Sequence, residues 1–362
     1  MMSTPRLEID LKKIQQNTRC LMERLSLKGI TLTGVTKVTL GNPEITRTLL
    51  RAGVNTIGDS RIENIQRMRQ AGIKARFILI RTPLITKADL VVEHADVSFN
   101  TELAVIEKLS QVAVRQNKTH QILLMIELGD LREGIPPEEL NETVEQVLGL
   151  PRIKLIGIGT NLACLGGIKP DHQKMKQLSD LAQRVEKKFN LTLEYVSGGN
   201  SANLEWLFGL GESGDIGRIN NLRLGESIFL GLETLNRGPI EGLHTDAFTL
   251  VTEVIESKTK PSVPSGEICQ DAFGKRPDFQ SWQERGKIHH AILGIGRQDV
   301  LVSGLTSLLD EPNQLELLGA SSDHMVIATK GPLTVGEQVR FRLNYGALLA
   351  AMTSPFVEKC FL

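Results

Sequence analysis

The sequence predicts a closed (β/α)8 barrel of the TIM type over residues 1–237, followed by a C-terminal β-rich domain over residues 238–362. Strand-like and helix-like segments alternate about eight times across roughly the first 235 residues, which is the repeat number and size of a closed β/α barrel. From about Asp246 the pattern changes to alternating apolar and polar runs separated by Gly, Pro and Ser turns. The full length of 362 residues also exceeds a typical single domain. An open doubly wound sheet is the rival fold, but it rarely needs so many units.

Leu7–Asp10 reads as a short strand, and Leu11, Ile14, Leu21 and Leu25 then recur at helical spacing. A strand runs from Ile30 toward Lys37. Asn42-Pro43-Glu44 supplies a capping amide and a proline at the first helical position, ahead of Ile45, Leu49 and Leu50. Val54–Asp59 is a strand, and Ser60-Arg61-Ile62-Glu63 has the spacing of a capping box before Ile65 and Met68. Strands follow at Arg76–Ile80, Ala95–Phe99, His120–Leu128, Ile153–Thr160, Leu191–Ser197 and Asn220–Leu224. Helical segments separate them at Lys87–His94, Glu102–Gln116, Pro136–Leu148, Asp171–Phe189 and Ser201–Phe208. In the second domain, strands are expected at Phe248–Ile255, Ile288–Ile295, Leu315–Gly319, His324–Ala328 and Gln338–Leu343, then a helix at Gly346–Met352.

Lys plus Arg and Asp plus Glu both number 42, with no long block of one sign, so neither nucleic acid nor an anionic membrane surface is an expected partner. Small neutral or zwitterionic ligands fit better. Cys20, Cys164, Cys269 and Cys360 lie far apart and form no Cys-x-x-Cys pair, which suits reduced residues of a cytoplasmic protein and suggests no zinc site. No stretch approaches the apolar length of a membrane span.

In a β/α barrel the loops leaving the C-terminal strand ends build the site, and the loops after the last two strands often hold a phosphate. Lys37 ends the first barrel strand on the face of Thr31, Thr33 and Val35. Taken alone, a strand-end lysine reaching to water is the plainer reading. At a barrel rim it would instead be partly desolvated and able to form a Schiff base with a carbonyl. After the seventh strand stands Ser197-Gly198-Gly199-Asn200-Ser201, and after the eighth Arg223-Leu224-Gly225-Glu226-Ser227; glycines, free amides and a Ser hydroxyl suit an anion. Arg132 and Arg223 leave strand ends as well. They read either as surface arginines or as donors to a bound aromatic cofactor, and a guanidinium against a pyridine nitrogen would keep that nitrogen unprotonated.

Several runs together resemble the alanine racemase family, the fold-type III pyridoxal phosphate enzymes. They are Gly34-Val35-Thr36-Lys37, Gly129 to Arg132, Gly159-Thr160-Asn161, Asn200-Ser201, Arg223-x-Gly225 and Val263-Pro264-Ser265-Gly266. Gly58 to Asn64, Gln270 to Gly274, Gly296 to Asp299 and Asn344 to Leu349 are similar to its alanine/ornithine racemase branch, so the resemblance spans the chain. It implies a pyridoxal 5'-phosphate (PLP) cofactor, with Lys37 as the Schiff-base lysine and Arg223 at the pyridine nitrogen. It further implies Ser201 with the Gly225 and Glu226 amides at the phosphate, Arg132 and Asn161 near the ring hydroxyl, and Asn200 as a further cofactor-binding residue. A head-to-tail homodimer is also implied, the β domain of one subunit completing the barrel site of the other.

One position departs from the family pattern. Where alanine racemases carry a tyrosine after the Val-Pro-x-Gly turn as the second acid/base, this chain has Glu267. A carboxylate can serve there only if burial raises its pKa. Glu267 is therefore the expected second base, or else it binds substrate while Cys269, Asp271 or Tyr345 transfers the proton. Asp271, Asp299 and Asp323 offer carboxylates to a second substrate ammonium, which favours ornithine or lysine over alanine; capping turns or joining structural ion pairs is their plainer role. The expectation is thus an amino-acid racemase for ornithine or another basic amino acid. The alternatives are an alanine or broad-specificity racemase, a basic amino-acid decarboxylase, or a non-catalytic PLP carrier.

Overall fold

The computed structural model describes residues 3–211, 214–279, 285–308 and 315–362. The chain divides into two compact units, Leu11–Thr245 and Met1–Asp10 together with Asp246–Leu362. The first strand, β1 (Arg6–Ile9), was expected to open the barrel domain. It pairs instead with two strands of the second unit, so the chain crosses from one unit to the other at Asp10.

In the first unit, eight strands close into a barrel in which each parallel strand pairs with the next: β2 (Thr31–Val35), β3 (Thr56–Asp59), β4 (Arg76–Leu79), β5 (Val97–Asn100), β6 (His120–Met125), β7 (Ile153–Gly159), β8 (Tyr195–Gly199) and β9 (Asn221–Leu224). The helices between them are α1 (Leu11–Ser26), α2 (Pro43–Arg51), α3 (Ile62–Gln70), α4 (Ala88–His94), α5 (Leu103–Arg115), α6 (Leu140–Leu148), α7 (His172–Phe189), α8 (Asn203–Gly209) and α9 (Glu226–Leu230). The expected barrel is therefore present. Ile78, Val97, Phe99, Leu123, Met125 and Ile156 form one buried cluster, each contributing roughly 1.5–3 kcal/mol of apolar burial.

Local chemistry explains the helix starts. Asn42 accepts from the N–H groups of Glu44 and Ile45 at 3.0 and 3.3 Å, and Asp171 accepts from Lys174 N–H at 2.8 Å. The capping box expected at Ser60 and Glu63 does not form. Buried Asp59 takes the Arg61 N–H at 2.9 Å, and Glu63 pairs with Lys87.

In the second unit the strand order is β12-β15-β10-β11-β14-β13, from β10 (Phe248–Pro261), β11 (Lys287–Leu293), β12 (Leu305–Ser307), β13 (Leu315–Ala320), β14 (Met325–Thr329) and β15 (Gln338–Leu343). Helix α10 (Tyr345–Thr353) and strand β16 (Glu358–Phe361) end the chain. β1 joins this unit, antiparallel to β10 and parallel to β16. β10 outruns its expected end at Ile255 because a bulge between Val254 and Glu256 lets its pairing with β11 continue to Pro261.

Candidate active site

β2 stops at Val35, and Lys37 opens a tight 3-10 turn, Lys37–Thr39, instead of continuing the strand face. The turn forms because the Thr36 carbonyl accepts from the Thr39 and Gly41 N–H groups at 3.0 and 3.2 Å. Lys37 is half-buried. β9 lies beside β2 in the barrel, with Thr33 opposite Arg223 and Gly34 opposite Leu224. At Gly225 a Cβ would come within 3.0 Å of the Val35 carbonyl oxygen, so glycine lets the last loop close against the strand end that leads to Lys37.

Arg223 is buried inside the barrel. It donates to Ser197 Oγ at 2.7 Å, to the Thr160 carbonyl at 2.8 Å and to Asn161 Oδ1 at 3.2 Å, all neutral acceptors, and its guanidinium stands 5.3 Å from the centre of the Phe99 ring. Ser197 in turn donates to Asn221 Oδ1 at 2.6 Å, and Asn221 donates to Thr33 Oγ1 at 3.0 Å. Burial, assisted by the charge of Arg132 and opposed by Glu133, lowers Arg223 to about 10, which leaves it a cation at neutral pH.

Asn161 Oδ1 also accepts from Asn200 Nδ2 at 3.1 Å, while Asn161 Nδ2 is buried with no hydrogen-bond partner among the described residues. Asn200 donates again to the Leu162 carbonyl at 2.8 Å, which ties the loops after β7 and β8 together. The hydroxyls of buried Ser201 and Ser227 lie 3.0 Å apart, and Ser227 N–H donates to Ser201 Oγ at 3.3 Å. The Glu226 side chain is turned to Arg237, so at this position the backbone amide is the group that matters.

Arg132 leaves the loop after β6, where it pairs with Glu133 and donates to Cys164 Sγ at 2.7 Å. Burial alone would lower Arg132, but Glu133 and the Cys164 sulfur together hold it above its usual value. Its loop is fixed by buried Asp130, whose carboxylate accepts from Cys164 N–H at 3.2 Å and Leu165 N–H at 2.9 Å. The barrel thus brings together Lys37, Asn161, Asn200, Ser201, Arg223, Gly225 and Glu226 on adjoining strand ends, with Arg132 joined through Cys164 to the loop that carries Asn161.

The remaining expected site residues lie in the second unit. Glu267 and Cys269 are exposed on the segment after β10. Asp271 accepts from the N–H groups of Lys275 and Phe273, at 2.9 and 2.8 Å, and these hold its carboxyl below the usual carboxylate range. Phe273 lies against the Arg297 guanidinium at 4.1 Å. Asp299 is buried and accepts from Ser354 Oγ at 2.6 Å; Asp323 is exposed and accepts from Gln298. Half-buried Tyr345 begins α10. Ser227, Asp130 and Ser197 were missed as site-building residues. All three stand inside the quoted loops, and their small polar side chains at or near glycine are the signal that could have found them.

The model of the alanine racemase N-terminal domain matches residues 9–232. The lysine racemase of Thermotoga maritima is 41% identical over 360 residues, covering 99% of this chain and 98% of that protein. The ornithine racemase of Acetoanaerobium sticklandii is 38% identical over 359 residues, covering 98% and 99%. Among solved structures, the alanine racemase from D-cycloserine-producing Streptomyces lavendulae superposes with a TM-score of 0.77 at 18% identity, over 100% of this chain and 98% of that one, a likeness of fold. These matches define a fold-type III enzyme, and the chain belongs to the alanine racemase family of PLP enzymes. Within it, the chain lies near the lysine and ornithine racemases. No helix among the described residues is long and apolar enough to cross a membrane.

The residues present fit PLP. Asn161 Nδ2 is a buried donor awaiting an acceptor. The facing Ser201 and Ser227 hydroxyls and the amides that follow Gly225 suit a phosphate, and Lys37 supplies the amine.

Proposed function

We propose that the chain is a PLP-dependent racemase of basic amino acids, ornithine or lysine, with the cofactor anchored on Lys37. One observation supports the choice of reaction: Arg223 is a buried cation whose hydrogen-bond partners among the described residues are neutral, which suits the role of donor to the pyridine nitrogen assigned to it. When bound, PLP withdraws electron density from the substrate α-carbon and so acidifies the α-proton. Arg223 keeps its own proton and would leave the ring nitrogen of bound PLP unprotonated, which would favour proton transfer at the α-carbon over loss of the carboxylate. Ser201, Ser227 and the Gly225 and Glu226 amides would hold the phosphate; Asn161, braced by Asn200, and Arg132 would bind the ring hydroxyl.

Lys37 takes or returns the proton on one face. Glu267, exposed on the single chain, serves the other once the second copy of a head-to-tail homodimer buries it, the burial that a carboxylate base requires; Cys269, Asp271 and Tyr345 are the groups next in line. Asp299 and Asp323 are the carboxylates assigned to the distal substrate ammonium. The names of the lysine and ornithine racemases support the substrate class, and four free thiols suit a cytoplasmic setting.

The test incubates the protein with PLP and L-ornithine, L-lysine or L-alanine in deuterated water, following α-deuterium incorporation and D-isomer formation together. D-ornithine or D-lysine should form faster than D-alanine. Exchange without inversion in Glu267→Gln supports its place on the second face, and unchanged inversion removes it.

A further inference from the structure

Asp59, at the end of β3, is fully buried, and the proposed proton transfers make no use of it. Its Oδ1 accepts from Arg61 N–H and from Asn64 Nδ2, each at 2.9 Å, and its Oδ2 accepts from Thr36 Oγ1 at 2.8 Å. Thr36 immediately precedes Lys37 and is fully buried as well. Every polar group of Thr36 is engaged. The hydroxyl goes to Asp59, the N–H donates to the Gly58 carbonyl at 3.0 Å, and the carbonyl receives the N–H groups of Thr39 and Gly41 and the Thr39 hydroxyl.

The far side of the turn is gripped from α3. Arg67 donates to the Leu40 carbonyl at 2.5 Å. Gly41 has φ +60° and packs on Asn64 so closely that a Cβ would lie 2.9 Å from the Asn64 Cβ, which makes glycine necessary there on both counts. Strand end β3 and the first two turns of α3 therefore clamp both sides of the Lys37 turn.

We propose that Asp59, acting through Thr36, is a positioning residue for Lys37, and that the segment Gly58–Asn64 is the pedestal on which the lysine turn is built. A lysine side chain has four rotatable bonds, so the direction of its root decides how often the amine reaches a reacting atom, and small misplacements there are costly. The proposal rests on the racemase reading for its meaning. The competing role for Asp59 is merely to start α3, which its bonds to Arg61 and Asn64 accomplish.

Thr36→Val separates the two roles, since it keeps the shape, deletes only the hydroxyl and leaves the Arg61 and Asn64 bonds intact. The experiment measures kcat and KM of the holoenzyme for Thr36→Val, Asp59→Ala and Asp59→Asn. In parallel, acetic anhydride labelling of the full-length chain stripped of cofactor compares Lys37 with the exposed Lys176. Thr36→Val should lower kcat by about tenfold or more with KM nearly unchanged, and should shift the relative acetylation rate of Lys37 by about threefold or more. Asp59→Ala should do the same more strongly, and Asp59→Asn should recover most of that loss because its amide still accepts from Arg61 and can donate to Thr36. Parental kcat and parental Lys37 labelling in Thr36→Val, with only a lowered Tm in Asp59→Ala, would overturn the proposal. A parent protein that holds no PLP on Lys37 defeats the racemase reading alone, and the labelling comparison still decides the pedestal.

Discussion

Arg223 donates to the Ser197 hydroxyl at 2.7 Å inside the barrel, and its other hydrogen-bond partners, Thr160 and Asn161, are neutral too. A buried cation is costly unless its donors are satisfied. Three acceptors from two neighbouring strand ends meet that need and aim the planar fork at the same time.

Arg223→Lys keeps the charge but cannot span those acceptors at once. It should cost about 2 kcal/mol of stability, through buried acceptors left unpaired, and reduce racemisation at least about tenfold. Chemical denaturation and steady-state kinetics read the two effects separately.

Ser201→Ala and Ser227→Ala each remove one hydroxyl of the facing pair. Each should weaken PLP binding by about tenfold, the value of one hydrogen bond to a charged group. Fluorescence titration of cofactor-free protein with PLP measures this.

His120 gives the barrel a pH dependence. The ring is buried, with Nε2 2.8 Å from Ser98 Oγ, and burial, with a smaller contribution from Lys118, lowers it from 6.5 to about 4. The unfolded chain therefore takes up a proton near 6.5, whereas the folded chain resists until about 4. The stability is complete above pH 6.5 and is lost progressively as the pH falls toward 4. A shift of this size is worth about 3 kcal/mol, and His120→Gln should flatten the unfolding free energy over that window by about as much.

Much of the barrel site is legible in the sequence because the repeat puts strand ends at known places. Lys37, Arg132, Ser201 and Arg223 are expected from those positions and from loop chemistry, and Asn161 from the family resemblance. Other features needed the fold. The four residues Arg6–Ile9 read as a strand, but nothing in them names β10 and β16 as partners. The strand Glu358–Phe361 is short and polar at an edge, too weak a pattern to expect. Asp59 and Asp130 look like turn residues until their burial shows one bracing the Lys37 turn and the other bracing the Arg132 loop. Lys37 itself sits in a turn because the Thr36 carbonyl captures two N–H groups, a contact that alternation along a strand does not encode.

The role of Lys37 is tested most directly by reducing the PLP-loaded protein with borohydride and mapping the modified peptide by mass spectrometry, alongside Lys37→Ala. The expected result is a pyridoxyl group on the Lys37 peptide alone, with both the label and racemisation lost in the variant. A label on another lysine, or racemisation that persists in Lys37→Ala, would contradict it.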